Sequence, residues 1–211
     1  MIVLADNDIL IKLAACDLFD DFLTAYEVSP ADIRILKLAR HSIGSRKHRR
    51  RIGEEGYQRL VVFLDAVADI LLEPDPAHIA ALNKQTDKNI DAGEAALFAL
   101  CPHMPGSVIV TGDKKSLAGL TLAAETDGVC ATMYQNLAGR VFCFEQIVTR
   151  ILDRVGFEAI RDRLIAGRDC DRGLTFWLGS ELDADEPRFR EGLRSYLDQA
   201  RATSGTLLAT D

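Results

Sequence analysis

Long apolar runs are absent from this chain of 211 residues. No stretch approaches the roughly 20 uninterrupted apolar residues that a membrane span needs. The N-terminal apolar run has no basic flank and meets Asp6 early, so neither a secretory leader nor a membrane anchor is expected. The five cysteines, at 16, 101, 130, 143 and 170, are widely separated and include no CxxC pair. That argues against a disulfide framework and a zinc site, and for a reducing, cytoplasmic setting. Aromatic residues are sparse, at 7% with one tryptophan, which leaves few rings for stacking on bases. Positive charge is also in deficit. A net charge of -7 and a pI near 5.2 do not describe an overall nucleic-acid binder, whose phosphate contacts need clustered Lys and Arg.

What is present is the composition of a globular protein with a sizeable core, 48% hydrophobic and 27% charged. One segment opposes the acidic balance. Residues 45–51, "SRKHRRR", gather Arg46, Lys47, Arg49, Arg50 and Arg51 around His48 without apolar periodicity. They read as a solvated loop or as a phosphate-contacting patch with its own local field.

Periodicity alternates between strand and helix. Ile2–Ala5 reads as a buried parallel strand, followed by Ile9, Leu10, Leu13, Ala14, Leu18 and Phe19 at helical spacing. "LTAYEV" reads as a second strand, and Ser29-Pro30 with Asp32 as the start of a helix through Ile33, Leu36 and Arg40. "EEGYQRLVVFLDAVADILL" reads as one long amphipathic helix, "EPDP" as a loop and the segment around His78–Leu82 as a short helix. "DAGEAALFALC" is helical, "SVIVTGD" is the clearest strand, "KKSLAGLTLA" is helical and "RVFCF" is a last strand. The expectation is an α/β domain over residues 1–145 with a mainly parallel sheet. Residues 146–211 read as a helical extension, broken at Gly156 and Gly167, folded back on the sheet or used against a partner. Trp177 is expected to pack there, and "TSGTLLATD" to fray.

In open α/β sheets ligands bind beyond the carboxyl ends of the strands. Asp6 follows the first strand, and Asp113 follows "SVIVT" after Thr111 and Gly112. Two carboxylates brought together there repel, and a hard cation such as Mg²⁺ or Mn²⁺ removes that penalty. Glu94, opening its helix, is a third contributor. Each acid also has a capping explanation: Asp8 or Asn7 for the first helix, Asp91 with Glu94 as a capping box, and Asp113 for its own helix.

"VLADNDILIKLA", "DAGEAALFAL" and "VIVTGDKKSL", in that order and separation, resemble the three acidic motifs of PIN-domain ribonucleases, a family that includes VapC-type toxins and proteins with a "DxGE" motif. The resemblance covers about residues 1–145. It implies a three-layer α/β/α PIN-like fold and metal-dependent RNA hydrolysis, with an antitoxin protein and a homodimer as partners of the family's kind. Carried over by motif, Asp6, Glu94 and Asp113 hold Mg²⁺ or Mn²⁺, Asp91 belongs to the same ligand stretch and Thr111 supports the site. The cation then lowers the pKa of water and stabilises charge on the phosphate. Arg46, Lys47, Arg49, Arg50 and Arg51, with Lys114 and Lys115, are the expected RNA contacts. The chain departs from the pattern where Ile35 and Leu36 stand in place of a helix acid, for which Asp32 is a candidate substitute, and where Lys114 and Lys115 follow Asp113. Asp8 stays open between ligand shell and cap.

Two other readings compete. "IVLADND" also resembles the D-x-D opening of haloacid-dehalogenase-type phosphatases, with Asp6 as nucleophile and Asp8 as general acid, although "DAGEAALFAL" has no role there. The missing helix acid also fits an inactive PIN-like module that binds RNA or protein.

Overall fold

The computed structural model describes residues 1–43, 46–84, 89–179 and 185–210, the side chains of Arg46 and Lys47 excepted. Five short strands, β1 (Ile2–Ala5), β2 (Ile33–Ile35), β3 (Ala68–Asp69), β4 (Ser107–Thr111) and β5 (Val141–Cys143), form a sheet in the order β3-β2-β1-β4-β5. Every neighbouring pair is parallel. All carboxyl ends therefore open on one edge.

Alternation along each strand divides the core into two layers. Val3, Ala5, Ile33, Ile35, Val110 and Phe142 face one cluster, which includes residues of α1 (Asn7–Ala15), α2 (Phe19–Tyr26) and α4 (Arg46–Ala66). Leu4, Ile109, Val141 and Cys143 face the other, with α5 (Pro76–Asn83), α6 (Ala92–Leu100), α7 (Lys114–Ala124) and α8 (Gly128–Leu137). Helices thus cover both faces of a parallel sheet, as an α/β fold requires. Between β2 and α4 runs a short helix, α3 (Lys37–Ile43).

Residues 146–211 are folded back onto this framework. Helices α9 (Phe144–Val155), α10 (Phe157–Gly167) and α11 (Arg172–Leu178) add Ile147, Ile151, Ile160 and Leu174 to the first cluster. Helix α12 (Glu186–Ser204) adds Phe189 and Leu193 to the first cluster and Leu197 and Ala200 to the second. Trp177 packs as expected, stacked on Phe144 and edge-on to Phe189 and Tyr196.

Several local expectations are corrected. "LTAYEV" is not a strand: Leu23–Tyr26 complete α2, which stops at Glu27 in the left-handed region. The second strand is instead β2, where a helix was expected. The Ser29–Asp32 capping box closes only a single 3-10 turn, after which buried β-branched Ile33 and Ile35 pair with β1. The basic segment is not a loop from residue 46 onward but the start of α4, broken at Gly53, whose φ of 72° favours glycine. Residues 44 and 45 lie outside the described residues. The long helix ends at Ala66, so that Ala68–Asp69 can pair with β2 as β3. Helix α8 was not anticipated. The tail does not fray: Leu207 is buried, and Leu208 bridges Val141 in parallel.

Candidate functional site

Asp6 follows β1 directly. Its amide still donates to the Val110 carbonyl at 3.1 Å, continuing the ladder with β4. The side chain is only 8% exposed. One carboxylate oxygen, Oδ1, accepts the Ile9 amide at 2.7 Å and caps α1. Oδ2 accepts the Thr111 hydroxyl and, at 3.3 Å, the Gly112 amide. Capping of the first helix therefore falls to Asp6, not to Asp8 or Asn7. Burial pushes the Asp6 carboxyl up to about 6, although the Ile9 amide and Thr111 hydroxyl both favour the charged form.

Thr111 links two of the acids. Its hydroxyl donates to Asp6 and accepts the Asp113 amide at 3.0 Å. Asp113 in turn caps α7 through the Lys115 amide at 2.8 Å. The supporting role expected of Thr111 thus has a geometry, a buried hydroxyl that orients one carboxylate and the backbone of the next.

Asp91 and Glu94 form a reciprocal capping box at the start of α6, with amide-to-carboxylate distances of 2.8 and 2.9 Å. A side chain at neighbouring Gly93 would approach Leu36 just after β2, so α6 begins over the carboxyl edge of the sheet. Glu94 is 8% exposed. Burial pushes its carboxyl up to about 8 against the bond from the Asp91 amide, and the charges of Asp91, Asp113 and Asp6 add to the rise. Glu94 therefore senses both acids that end the central strands.

This donor set is all oxygen, the chemistry that hard divalent cations prefer. Among the described residues, however, no three His, Cys, Asp or Glu side chains form a ready-made metal cluster. The acids share an edge without closing on a common point.

Other expected residues lie elsewhere. Asp32 precedes β2 and bonds Ser29 at the opposite, amino edge of the sheet, so it cannot replace the missing helix acid. Asp8 is turned to Lys12 at 2.7 Å and to Arg51 at 3.4 Å. Arg49 is spent on Glu54 and on the ring of Tyr57. Arg51 also donates to the Cys170 carbonyl, which brings the start of α4 beside the first turn of α1. Arg50 and Lys115 are exposed, and Lys114 pairs with Glu145 under the ring of Tyr196.

Three charged residues at this edge were missed. Glu145 lies two residues past β5, in the first turn of α9, an acid near a strand end that is readable in "VFCFE". Lys12 interrupts the apolar "ILIKLAA" and is buried. Its ammonium holds Asp8 and Asp171, each at 2.7 Å, and the Gly112 carbonyl at 2.7 Å. Burial works against that ammonium, but the two carboxylates overcome it and hold its pKa above the ordinary lysine value. Asp171 is shifted the other way: burial would raise its pKa, yet Lys12 holds it below the carboxylate range.

No protein-family model, curated protein or solved structure matches the chain. No helix among the described residues is long and apolar enough to cross a membrane.

Proposed function

We propose that this protein is a metal-dependent ribonuclease of the PIN-like type. The observation that supports this most is the gathering of Asp6, Glu94 and Asp113 at the carboxyl edge of a parallel sheet, with Asp6 and Glu94 buried and raised in pKa. Buried carboxylates without an ion-pair partner among the described residues favour an external cation.

Asp6, Glu94 and Asp113 are the residues that would hold Mg²⁺ or Mn²⁺, with Asp91 fixing Glu94 through the capping box. The cation, when bound, supplies Lewis acidity toward water and a phosphodiester. The chain's own part is positional. Thr111 and the Gly112 amide orient Asp6 through one oxygen and the Ile9 amide holds the other, while the starts of α4 and α7 offer Arg50 and Lys115 to an RNA backbone. The cytoplasmic setting, an antitoxin protein and a second copy as partner belong to the same reading.

The test is cleavage of single-stranded RNA by the purified chain with Mn²⁺ or Mg²⁺. EDTA stops it, and Asp6→Asn and Asp113→Asn each lower the rate by at least about 100-fold while circular dichroism and melting remain native-like. Equal cleavage by both variants and wild type overturns the site.

A second reading, an inactive PIN-like module that binds RNA or protein, is favoured by one observation: the described residues contain no closed three-ligand group. Absence of cleavage with intact RNA binding supports it. The phosphatase reading loses support, because Asp8, its general acid, has its oxygens committed to Lys12 and Arg51.

A further inference from the structure

We propose that Lys12 and Asp171 form a clamp through which the C-terminal extension fixes the Gly112 turn of the acidic site. The inference deepens the ribonuclease reading and rests on it only for its metal-binding consequence.

The parts form a closed ring. Asp171, at the start of α11, holds Lys12 Nζ at 2.7 Å, and the same nitrogen donates to the Gly112 carbonyl at 2.7 Å and holds Asp8 at 2.7 Å. Arg51 closes the ring between Asp8 and the Cys170 carbonyl. Phe144, the first residue of α9, adds its ring 5.4 Å from the ammonium. The turn lies hard against this ring. A Cβ at Gly112 would come within 2.4 Å of an Asp8 carboxylate oxygen and 2.9 Å of Lys12 Nζ, so any larger residue there must push these two side chains aside.

The Gly112 residue so gripped has its amide on Asp6 Oδ2, and Asp113 follows it. Its carbonyl faces the clamp and its amide faces the site. The two planar peptides meet at the Gly112 Cα, where glycine turns freely, so holding the carbonyl at the clamp removes rotations that would carry the amide off Asp6. Lys12 and Asp171 are therefore positioning residues: they touch neither metal nor RNA, and they set the relation of Asp6 to Asp113. The extension contributes to the site through one buried ammonium.

The experiment uses the full chain labelled with ¹⁵N and free of metal, and follows amide exchange in wild type, Asp171→Asn and an Arg190→Gln control. Asparagine retains the cap on the Gly173 amide, so α11 keeps its start while Lys12 loses its charge partner. Arg190→Gln breaks pairs with Asp153 of α9 and Glu186 of α12 that involve neither Lys12 nor Asp171. The clamp predicts that Asp171→Asn speeds Gly112 exchange by about tenfold beyond any global change, and that the control does not. It also predicts about tenfold weaker Mn²⁺ binding by titration, in line with residues that support metal ligands from behind. Unchanged Gly112 exchange, with protection lost only in α11, overturns the clamp and leaves Asp171 as a docking contact. Should Asp171→Asn fail to fold, the double variant Lys12→Met/Asp171→Asn removes both charges together and is read in the same way. Wild type that binds no Mn²⁺ overturns the ribonuclease reading alone, because Gly112 exchange is measured without metal.

Discussion

Two sets of buried charge lie side by side at the carboxyl edge of this sheet, and they are built on opposite principles. Around Lys12, each buried charge has its counter-charge within the chain: Asp8, Asp171 and the Gly112 carbonyl all lie 2.7 Å from one ammonium. Around Asp6, carboxylates are supported by hydroxyl and amide donors and, among the described residues, form no ion pair; Lys12 acts on Asp6 only from a distance, and Asp6 and Glu94 rise to about 6 and about 8. The pKa of Asp171 moves down where those of Asp6 and Glu94 move up. The same fold that buries a lysine between two aspartates leaves Asp6 and Glu94, a few residues from that ring or across the edge from it, without an ion pair among the described residues. That contrast supports the proposed role of the edge near Asp6 as the receptive one.

The largest effect expected comes from breaking the compensated set. Lys12→Met removes the shared partner of Asp8 and Asp171, of which Asp171 has only 16% of its side chain exposed. Removing one partner of a buried pair typically costs about 3 to 5 kcal/mol, because the remaining charges stay buried without compensation. Urea unfolding should register a loss of about 3 kcal/mol. A loss below about 1 kcal/mol would make the Lys12 cluster a solvated surface pair and erase the contrast. Asp6→Asn should do the reverse of Lys12→Met: it abolishes metal-supported cleavage at a metal-free cost of only about 1 kcal/mol, because the asparagine oxygen keeps the Ile9 cap and the Gly112 amide loses its acceptor.

The pH dependence sharpens the comparison further. Asp6 and Glu94 have folded pKa values above their ordinary ones of 3.8 and 4.5. The native state therefore binds more protons than the unfolded state between about pH 4 and 8, and stability falls as pH rises through that window. Asp171 behaves oppositely, its contribution being present above 3.8 and lost only in stronger acid. Metal-free protein should thus melt at a higher temperature at pH 5 than at pH 8. Glu94→Gln should flatten the upper part of that slope and raise the pH 8 melting temperature by about 3 °C, the scale of 1 kcal/mol in a chain of this size. Mn²⁺ should do likewise for wild type by binding the folded state. A slope of the opposite sign would mean that the acids near Asp6 are compensated after all.

The receptive set was easier to read from sequence than the compensated one, and the reason is local order. Asp6 and Asp113 each follow an apolar β-branched run and precede a helical one, so strand, acid and helix are contiguous in "IVLADND" and "VIVTGD". Lys12 and Asp171 come from opposite ends of the chain, and no periodicity couples them. Short strands were lost for a related reason. β3 has two residues and continues the amphipathic pattern of α4, and β2 has three and follows a capping box that starts only one turn. In both, pairing to a neighbouring strand outweighed local propensity. The tail was misread because its polar and small residues give no sign that Leu207 is buried and Leu208 meets β5.

Lys114 stands between the two sets, and its substitution effects are the smallest and the most discriminating. It follows Asp113, yet it is paired with buried Glu145 and lies 4.8 Å from the centre of the Tyr196 ring. Lys114 is the cation that holds this buried carboxylate among the described residues, with the Cys143 thiol beside it. Glu145→Gln removes the negative charge and keeps the shape. If Lys114 serves RNA, its ammonium is then free of a competitor, and RNA should bind about two- to threefold more tightly, with the slope of log Kd against log salt steeper by up to about one. Turnover at saturating RNA should stay unchanged, because Glu145 touches none of the three proposed ligands. If the salt slope stays fixed while the melting temperature drops, Lys114 belongs with Lys12 as an internal counter-charge. The RNA face then narrows to Arg50 and Lys115.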